Sequence, residues 1–402
     1  MNTSTRTPFP WPAPGAPSDS IMIDVVDWYI ENDLLASMTP SEITVELVSS
    51  VNLCIDHATA NRRSQRQHHL HDIHPAMLAR VLVALDHVVR VVHVDSDLEG
   101  RLAIYDESEG IYTTSKLLIS RQAHSYCPGL ASAQFSHMMR QLMHLAPRVM
   151  PSVDPDLVPV NNGFFDYSTK QLRPFTPHLI FLDKAITDFV ADAKSPVLAN
   201  NDGSTWEIEN WMSGLSEDPA IVEALWQVAG AVVRPYVPWG KAMLLVGRPV
   251  DSGNEVFGSL LRALTGTVQQ SVAKITTRKR LQDLTAGPII HDENGRDLVI
   301  TDHPALSHLI QNTPFSIQGS PDQGDYRHWG LIVQGVTTLP RFRSSSPDAR
   351  QQWGVIEFNK TFSFASMNCA WAHVQRRDAS EYVLKRVLVD MPNYNHLDLP
   401  VA

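Results

Sequence analysis

The stretch that most constrains the fold lies at residues 243–264, MLLVGRPVDSGNEVFGSLLRAL. An apolar run ends at Gly247, a loop of turn-forming residues follows, and a run of helical character begins near Val256. Strand, glycine loop and helix in this order are the layout of a phosphate-binding loop, in which backbone N–H groups and a helix N-terminus hold phosphates. The stretch therefore predicts an α/β fold around such a loop, with an ordinary strand, turn and helix as the alternative.

The loop departs from the form G-x-x-x-x-G-K-[ST] at the positions that hold the nucleotide. Five residues rather than four separate Gly247 from Gly253, and Asn254 and Glu255 stand where the Lys and the hydroxyl belong. Asn254 keeps hydrogen-bonding capacity without charge, whereas Glu255 brings a carboxylate toward a polyanion. At about 4 Å and an effective dielectric near 20, each like-charge pair costs roughly 4 kcal/mol. The sequence therefore predicts impaired nucleotide chemistry at this loop.

Bulk composition limits the class of protein. The 402 residues suffice for two or three domains, and 43% hydrophobic and 19% charged residues are typical of a globular chain. No apolar run approaches ~18 residues and no signal peptide begins the chain, so we expect a cytoplasmic protein with no membrane contact. Cys54, Cys127 and Cys369 are odd in number and widely spaced, which predicts buried thiols rather than disulfides or a zinc site.

The net charge of −10 argues against a protein that coats nucleic acid over its whole surface, but it permits a local basic channel. Solvated faces are the alternative for each basic patch. The patches are Arg62, Arg63 and Arg66; Lys274, Arg278, Lys279 and Arg280; and Arg341 with Arg343. His68, His71 and His74 have a spacing that could bring them to one helix face, yet no carboxylate or Cys pattern accompanies them. We therefore predict no metal site there.

Hydrophobic periodicity predicts the early elements. Helices are expected within 21–35, 41–59 and 75–92, with starts at Thr39-Pro40 and His74-Pro75. The pattern then predicts a hairpin at 101–114, an amphipathic helix at 132–146, a pair of hairpins within 157–177 and a helix at 217–233. Strands and helices alternate from residue 242 onward, which favours an α/β sheet.

These elements suggest a mixed α+β N-terminal module before the domain with the glycine loop. We divide the chain into five segments. They are a flexible Pro-rich leader (1–20), a helical region (21–100), a mixed module (101–185), the glycine-loop domain (186–375) and a C-terminal tail (376–402).

Several stretches, taken together and in order, resemble the primase-helicases of phages, plasmids and large DNA viruses (the poxvirus type), which have a superfamily-three helicase of the AAA+ class. The resemblance spans about residues 100–365 and is diffuse in each motif. The stretches are LAIYDESEGIYTT (102–114), DPDLVPVNNGFFDYSTKQLRPFTP (154–177), AGAVVRP (229–235), LLVGRPVDSGN (244–254) with FGSLLRALTG (257–266), PIIHDE (288–293), VTTLPRF (336–342) and WGVIEF (353–358).

The resemblance implies an AAA+-like P-loop domain that uses ATP and Mg²⁺, and it places the family's roles on particular residues. The metal-binding acidic pair falls on Asp292 and Glu293, with an exposed turn before Asn294-Gly295 as the alternative. The polar residue that senses the γ-phosphate falls on Thr337 or Thr338, and the Arg offered by a neighbouring subunit falls on Arg350. The Lys and hydroxyl positions fall on Asn254 and Glu255, and these departures argue against ATP use in this chain.

The resemblance also implies contact with single-stranded or forked DNA through a hairpin that points into the central channel of a ring. The ring would be a homo-oligomer, and a hexamer is its first expected form. The corresponding stretch is SIQGSPDQGDYRHWG (316–330), with Tyr326, Arg327 and His328 as candidate contacts. The alternative is an ordinary surface hairpin. Lys274, Arg278, Lys279 and Arg280 are the other candidate DNA contacts.

Three hypotheses follow for the function. The first is a helicase-like replication protein with a substituted but working site. The second, which we favour, is a replication protein with lost ATPase activity that acts through DNA binding and oligomerisation, or, as a variant, an inactive scaffold or regulator that binds protein partners. The third is an unrelated α/β protein.

Overall fold

The structure is a computed structural model of the 402-residue chain. It describes residues 7–60, 68–92, 100–200, 203–248, 251–267, 287–292, 299–301, 304–316, 325–343 and 348–397.

The chain forms two compact units, and their boundary differs from the predicted one. Unit 1 comprises the described residues of Met1–Val92, Gly100–Glu107 and Tyr112–Met150, and unit 2 comprises the other described residues. Strand β1 (Val89–Val91), which precedes the expected border near residue 100, pairs antiparallel with β2 (Arg101–Asp106), which follows it, so one sheet spans that border.

Unit 1 contains five helices around one side of a four-stranded sheet of order β3-β2-β1-β4, counting only described residues. The remaining strands are β3 (Ile111–Thr113) and β4 (Arg148–Val149). The helices are α1 (Ser18–Glu31), α2 (Pro40–Thr59), α3 (Pro75–Leu85), α4 (Lys116–Tyr126) and α5 (Ser132–Leu145).

Helix starts follow the predicted caps. Thr39 and Glu42 form a capping box before α2, and the His74 side chain accepts a hydrogen bond from the backbone N–H of Ala76 at the start of α3. The third helix is shorter than the periodicity predicted. It ends at Leu85, because His87 adopts a left-handed φ of 51° and the β-branched run after it enters the sheet as β1.

The predicted flexible leader is a packed segment over its described part. Phe9 and Ala16 pack against the buried cluster of unit 1, and the Trp28 indole donates to the Thr7 carbonyl at 2.9 Å. The backbone N–H of Gly15 donates to Ala58. Residues 7–17 therefore belong to the fold of unit 1.

Unit 2 begins with short antiparallel pairings that confirm the predicted hairpins. Strands β5 (Leu157–Val160), β6 (Gly163–Asp166) and β7 (Gln171–Arg173) form one meander. Strands β8 (Val197–Ala199) and β9 (Thr205–Glu207) form a second pairing.

The helices of unit 2 include the one predicted at 217–233, which is confirmed as a helix that starts after the N-cap Asp218. They are α6 (Ile208–Gly214), α7 (Pro219–Val233), α8 (Asn254–Thr265), α9 (Pro304–Gln311), α10 (Asp348–Gln351), α11 (Phe364–Val374) and α12 (Arg377–Lys385), which continues as a π-helical segment (Arg386–Asp390).

A parallel four-stranded sheet forms the centre of unit 2 and confirms the predicted strand and helix alternation. Its order is β11-β15-β10-β17, with β10 (Ala242–Gly247), β11 (Ile289–Asp292), β15 (Ile332–Val336) and β17 (Trp353–Phe358). The strands are buried on both faces, as a parallel sheet requires. Met243 and Leu245 face the cluster that contains α8, while Ala242 and Leu244 face the cluster that contains α9.

Two smaller pairings complete unit 2. Strands β12 (Val299–Thr301) and β16 (Arg341–Arg343) are parallel, and β13 (Phe315–Ser316) and β14 (Asp325–Tyr326) are antiparallel.

Part of the predicted C-terminal tail belongs to the core of unit 2. Val383, Leu384, Val387 and Leu388 are fully buried against the largest cluster of unit 2. Within the described ranges, no helix is long and apolar enough to cross a bilayer.

Candidate functional site

The topology of the parallel sheet selects one edge as the candidate site. Strand β10 lies between β15 and β17, so the chain moves to one side of β10 for β11 and β15 and to the other side for β17. In open parallel sheets, ligands bind beyond the carboxyl ends of the strands at such a reversal of direction. Gly247 ends β10 at this edge, and α8 begins at Asn254. The glycine loop therefore lies where a ligand site is expected.

Both glycines of the loop are required by geometry. A Cβ on Gly247 would lie 2.4 Å from the Ser252 hydroxyl and 3.1 Å from Cβ of Phe358. Gly253 has a φ of +92°, and a Cβ there would lie 2.6 Å from Leu215. The loop is thus tightly wound over the end of β10, and neither position accepts a side chain without movement.

Asn254 fills the interior of the loop with its own amide. The side chain is only 5% exposed, and its Nδ2 donates to the Gly247 carbonyl at 3.4 Å. Its Oδ1 accepts from the Glu255 backbone N–H at 2.9 Å and lies 2.9 Å from the Ser252 hydroxyl. That hydroxyl also lies 2.7 Å from the Arg248 carbonyl, which accepts. The carbonyls of Gly247 and Arg248 are therefore bonded by side chains of the loop itself.

Carboxylates stand at the N-terminus of α8. Glu255 lies in the first helical turn, where the positive end of the helix dipole favours an anion by about 0.3–1 kcal/mol. Its Oε1 is buried and has no hydrogen-bond partner in the described part of the chain, and the same holds for Oδ1 of Asp251. The chain itself thus supplies negative charge at the position that a bound phosphate would take.

The cation of the loop, Arg248, is already engaged by Thr361 and by Asp251 of the loop itself. The Arg248 side chain is 63% exposed, donates to the Thr361 hydroxyl and lies 3.6 Å from the Asp251 carboxylate. One exposed arginine and two carboxylates give this stretch a net negative charge.

These residues do not fit Mg-ATP. The position that the resemblance assigns to the Lys holds a buried neutral amide that is already bonded within the loop, and the position it assigns to the hydroxyl holds a carboxylate. Phosphates would meet like charge, and the carboxylate would have to leave the helix terminus. We therefore derive no chemical step through a nucleotide at this loop.

Strand register places two further predicted residues at the same edge. Val246 pairs with Val336, so Thr337 follows at the level of Gly247, and it is half-buried. Asp292 pairs with Gly335 at the end of β11, two strands from β10. Glu293 lies outside the described residues. Gly247, Gly253, Asn254, Glu255, Thr337 and the backbone of Asp292 are thus brought to one edge.

Arg350 lies at the opposite edge of the sheet. It is in α10, just before β17, whose first residue Trp353 pairs with Ala242 at the start of β10. Five residues of strand separate that level from Gly247, or about 16 Å. Its guanidinium lies 5.6 Å from the Phe342 ring. Arg350 therefore does not join the glycine loop of its own chain, and a role toward a neighbouring subunit stays a prediction.

The candidate DNA contacts are corrected in part. His328 is fully buried, so it has no surface to offer to a phosphate. Arg327 donates from Nε to the Asn312 carbonyl at 2.6 Å, and its guanidinium lies 4.2 Å from the Trp329 ring. Both residues therefore hold the base of the β13–β14 pairing. The antiparallel backbone of the predicted hairpin is confirmed at its base, and residues 317–324 lie outside the described residues.

The remaining predicted DNA contacts, Lys274, Arg278, Lys279 and Arg280, also lie outside the described residues. Sequence reasoning missed Ser252, which is fully buried and bonds inside the loop. The position of Ser252 directly before Gly253 was the sequence signal that could have identified it.

Comparisons with known proteins add weak likenesses. No family model and no curated protein matches the chain. The apo A form of the NrS-1 C-terminal region is 11% identical, with 77% of this chain and 69% of that chain covered and a TM-score of 0.44. An inhibitor-bound JCV helicase is 14% identical, with 45% and 54% covered and a TM-score of 0.29. Similarities at these TM-scores are too low to establish a shared fold.

The fold and the site together define a class: a mixed α/β protein with a parallel sheet and a strand–glycine loop–helix unit at its carboxyl edge.

Proposed function

We propose that this chain is a DNA replication protein of the phage or plasmid type, related to superfamily-three primase-helicases, that has lost ATPase activity. It acts by binding single-stranded or forked DNA and by self-association, without a nucleotide cycle. The observation behind the loss of ATPase activity is the loop interior, where the Asn254 amide bonds to the Gly247 carbonyl and Glu255 occupies the helix N-terminus.

Two features support the replication context. The ordered motifs between residues 100 and 365 resemble that family, and a strand–glycine loop–helix unit lies at the direction reversal of a parallel sheet. The antiparallel pair β13–β14 lies in the segment between β11 and β15, where the resemblance expects the DNA-contacting hairpin. An AAA+ arrangement and a ring, hexameric in the first instance, belong to this proposal.

The test is a DNA-binding titration on the full chain with and without Mg-ATP. We expect a labelled single strand to bind with an affinity that falls steeply with salt and does not change with Mg-ATP. ATP turnover is measured on the same preparation and should equal the buffer blank. Light scattering should give the same multimeric mass with and without nucleotide.

Two outcomes would change the assignment. Binding that requires Mg-ATP, or turnover above the blank, would restore the hypothesis of a substituted but working helicase. No DNA binding at low salt would remove the replication role and leave an inactive scaffold that binds protein partners.

A further inference from the structure

The last described residues of the chain pack against the rest of unit 2 at a site formed by Lys170, Gly230 and Arg234, which we name the seat. Residues 391–397 follow the π-helical segment, whose Val387 and Leu388 are fully buried in the core of unit 2, and we name them the C-terminal strap. Tyr394 occupies a notch on α7, where its hydroxyl donates to the Gln227 carbonyl at 2.8 Å. A Cβ on Gly230 would lie 2.0 Å from that hydroxyl oxygen. Tyr394 can therefore pack in this position only because residue 230 has no side chain.

Lys170 holds the first half of the strap. Its Nζ donates to the Leu388 carbonyl at 2.7 Å and to Oδ1 of Asn393 at 2.6 Å. Leu388 lies in the π-helical segment, where the regular helical ladder is interrupted and side chains can take over backbone carbonyls. Lys170 reaches it from the β6–β7 turn with a φ of 58°.

Arg234 holds the second half. Its Nη1 donates to the Tyr394 carbonyl at 2.6 Å and its Nη2 to Oδ1 of Asn395 at 2.7 Å. The residue is 1% exposed, and its Nε has no hydrogen-bond partner among the residues that the structure describes. Lys170 and Arg234 therefore hold the strap and the end of the π-helical segment, and the four oxygens that accept their hydrogen bonds are all neutral.

The aromatic ring of Tyr167 offsets part of the charge. Lys170 Nζ lies 3.6 Å and Arg234 Cζ 3.7 Å from its centroid. No carboxylate lies within ion-pair distance of either cation over the described ranges. Burial, followed by the nearby Arg234 charge, lowers the pKa of Lys170 to about 8. Burial of Lys170 and Arg234 in the closed seat therefore has a desolvation cost, which a paired carboxylate would have offset in part.

The strap itself contributes little else to its closure. Met391 and Leu397 are its buried apolar residues after the π-helical segment, whereas Pro392, Asn393, Asn395 and His396 are exposed. The described backbone bonds of this run are limited to the Met391 N–H donating to Arg386 at 3.1 Å. Opening of residues 391–397 would rehydrate two cations and expose Met391, Tyr394 and Leu397, while Val387 and Leu388 stay in the core, so its cost is below that of global unfolding.

We propose that the C-terminal strap is a separate opening unit, latched by Lys170 and Arg234 and keyed by Tyr394 in the Gly230 notch. In the open state unit 2 keeps its sheet and presents two cations beside the ring of Tyr167. The residues that close the strap lie in two stretches named in the sequence analysis, DYSTK (166–170) and AGAVVRP (229–235).

The test is native-state cleavage by chymotrypsin after residue 394, followed by intact mass on the full chain. Gly230→Ala should raise the cleavage rate by about tenfold or more, because the added Cβ expels the Tyr394 hydroxyl. Gly214→Ala is the matched control, since a Cβ there meets nothing within 4 Å in α6. Circular dichroism and the urea midpoint of the sheet should stay close to wild type.

A second substitution distinguishes strap opening from general loosening. Tyr394→Phe alone should raise the cleavage rate by removing the bond to Gln227. In the Gly230→Ala background it should lower the rate, because the nearest remaining contact would be 3.2 Å. This reversal of sign supports the latch. Equal rates for Gly230→Ala and Gly214→Ala, or additive effects of the two strap substitutions, would overturn it.

Discussion

The glycine loop and the strap seat are opposite in charge and alike in construction. In the loop, carboxylate oxygens of Asp251 and Glu255 are buried without partners in the described chain, at a helix terminus that attracts anions. In the seat, Lys170 and Arg234 are bonded to neutral acceptors only. In the loop, carboxylates of the chain stand where a phosphate would bind, and in the seat, neutral oxygens of the chain stand where an anion could have paired with the two cations.

The two regions differ in how they can respond to a substitution that introduces a steric clash. The loop is fixed between β10, Phe358 and α8, whereas the seat is covered by a segment with few backbone bonds. A disturbance in the loop must therefore propagate into the sheet, and a disturbance in the seat can be relieved by moving the strap.

The largest expected effect is the contrast between two glycine substitutions. Gly247→Ala places a Cβ 2.4 Å from the Ser252 hydroxyl and should lower the free energy of unfolding by about 2–3 kcal/mol. Gly230→Ala should lower it by about 1 kcal/mol, because Tyr394 can move with the strap and the buried Val387, whose Cβ lies 3.2 Å from the added Cβ, has to shift only slightly. Urea unfolding measures both, with Gly129→Ala as a control that meets nothing within 4 Å. Equal losses at 247 and 230 would remove the distinction between the regions.

The next effect isolates the filling of the loop. Asn254→Ala removes the partner of the Gly247 carbonyl and of the Ser252 hydroxyl, and should cost about 1–2 kcal/mol of unfolding free energy. Asn210→Ala, at an exposed amide bonded to Glu207, is the matched control and should change it by less than about 0.5 kcal/mol. A loss of similar size in both variants would mean that the Asn254 bonds do not stabilise the loop.

A smaller effect tests the carboxylate at the helix terminus. Glu255→Gln removes the favourable charge at the start of α8 and also the cost of a buried unpaired oxygen, so we expect a net change within about 0.5 kcal/mol. The variant should stay unable to bind Mg-ATP, because Asn254 still fills the loop. Thermal melts and a nucleotide titration check the two statements separately. Nucleotide binding by Glu255→Gln alone would show that charge, not filling, excludes ATP.

The smallest effect is a pH dependence of the seat. The Lys170 pKa is lowered to about 8 in the fold, while the unfolded chain keeps a value near the ordinary 10.5. Between these values the unfolded state binds more protons, so stability should rise with pH by roughly 0.5 kcal/mol or less after solvent screening. Lys170→Met should lose this rise in urea titrations from pH 8 to 10.5. A wild-type stability that falls over this window relative to Lys170→Met would contradict the charge assignment.

Most of the fold could be predicted from local sequence. The cap residues at Thr39 and Asp218, the Asn162-Gly163 turn and the apolar runs before Gly247 and around Trp353 produce elements by short-range physics. Residues 75–92 were harder, since the run after Leu85 has helical periodicity but is β-branched, and its pairing with β2 and β4 decides the outcome.

The candidate site could be predicted in outline only. The motif spacing indicated which residues enter the loop, and strand register brought Thr337 and Asp292 to the same edge. The burial of His328 and the engagement of Lys170 and Arg234 with the strap depend on contacts between residues far apart in sequence, which no local pattern reveals.

The most direct test of the central claim is calorimetric titration of Mg-ATP into the wild type and into the double variant Asn254→Lys, Glu255→Ser. We predict no binding heat for the wild type and a gain of binding in the double variant, which would show that the native side chains occupy an otherwise competent loop. Micromolar binding of Mg-ATP to the wild type at this loop would contradict the account, and helicase activity would then be the property to measure.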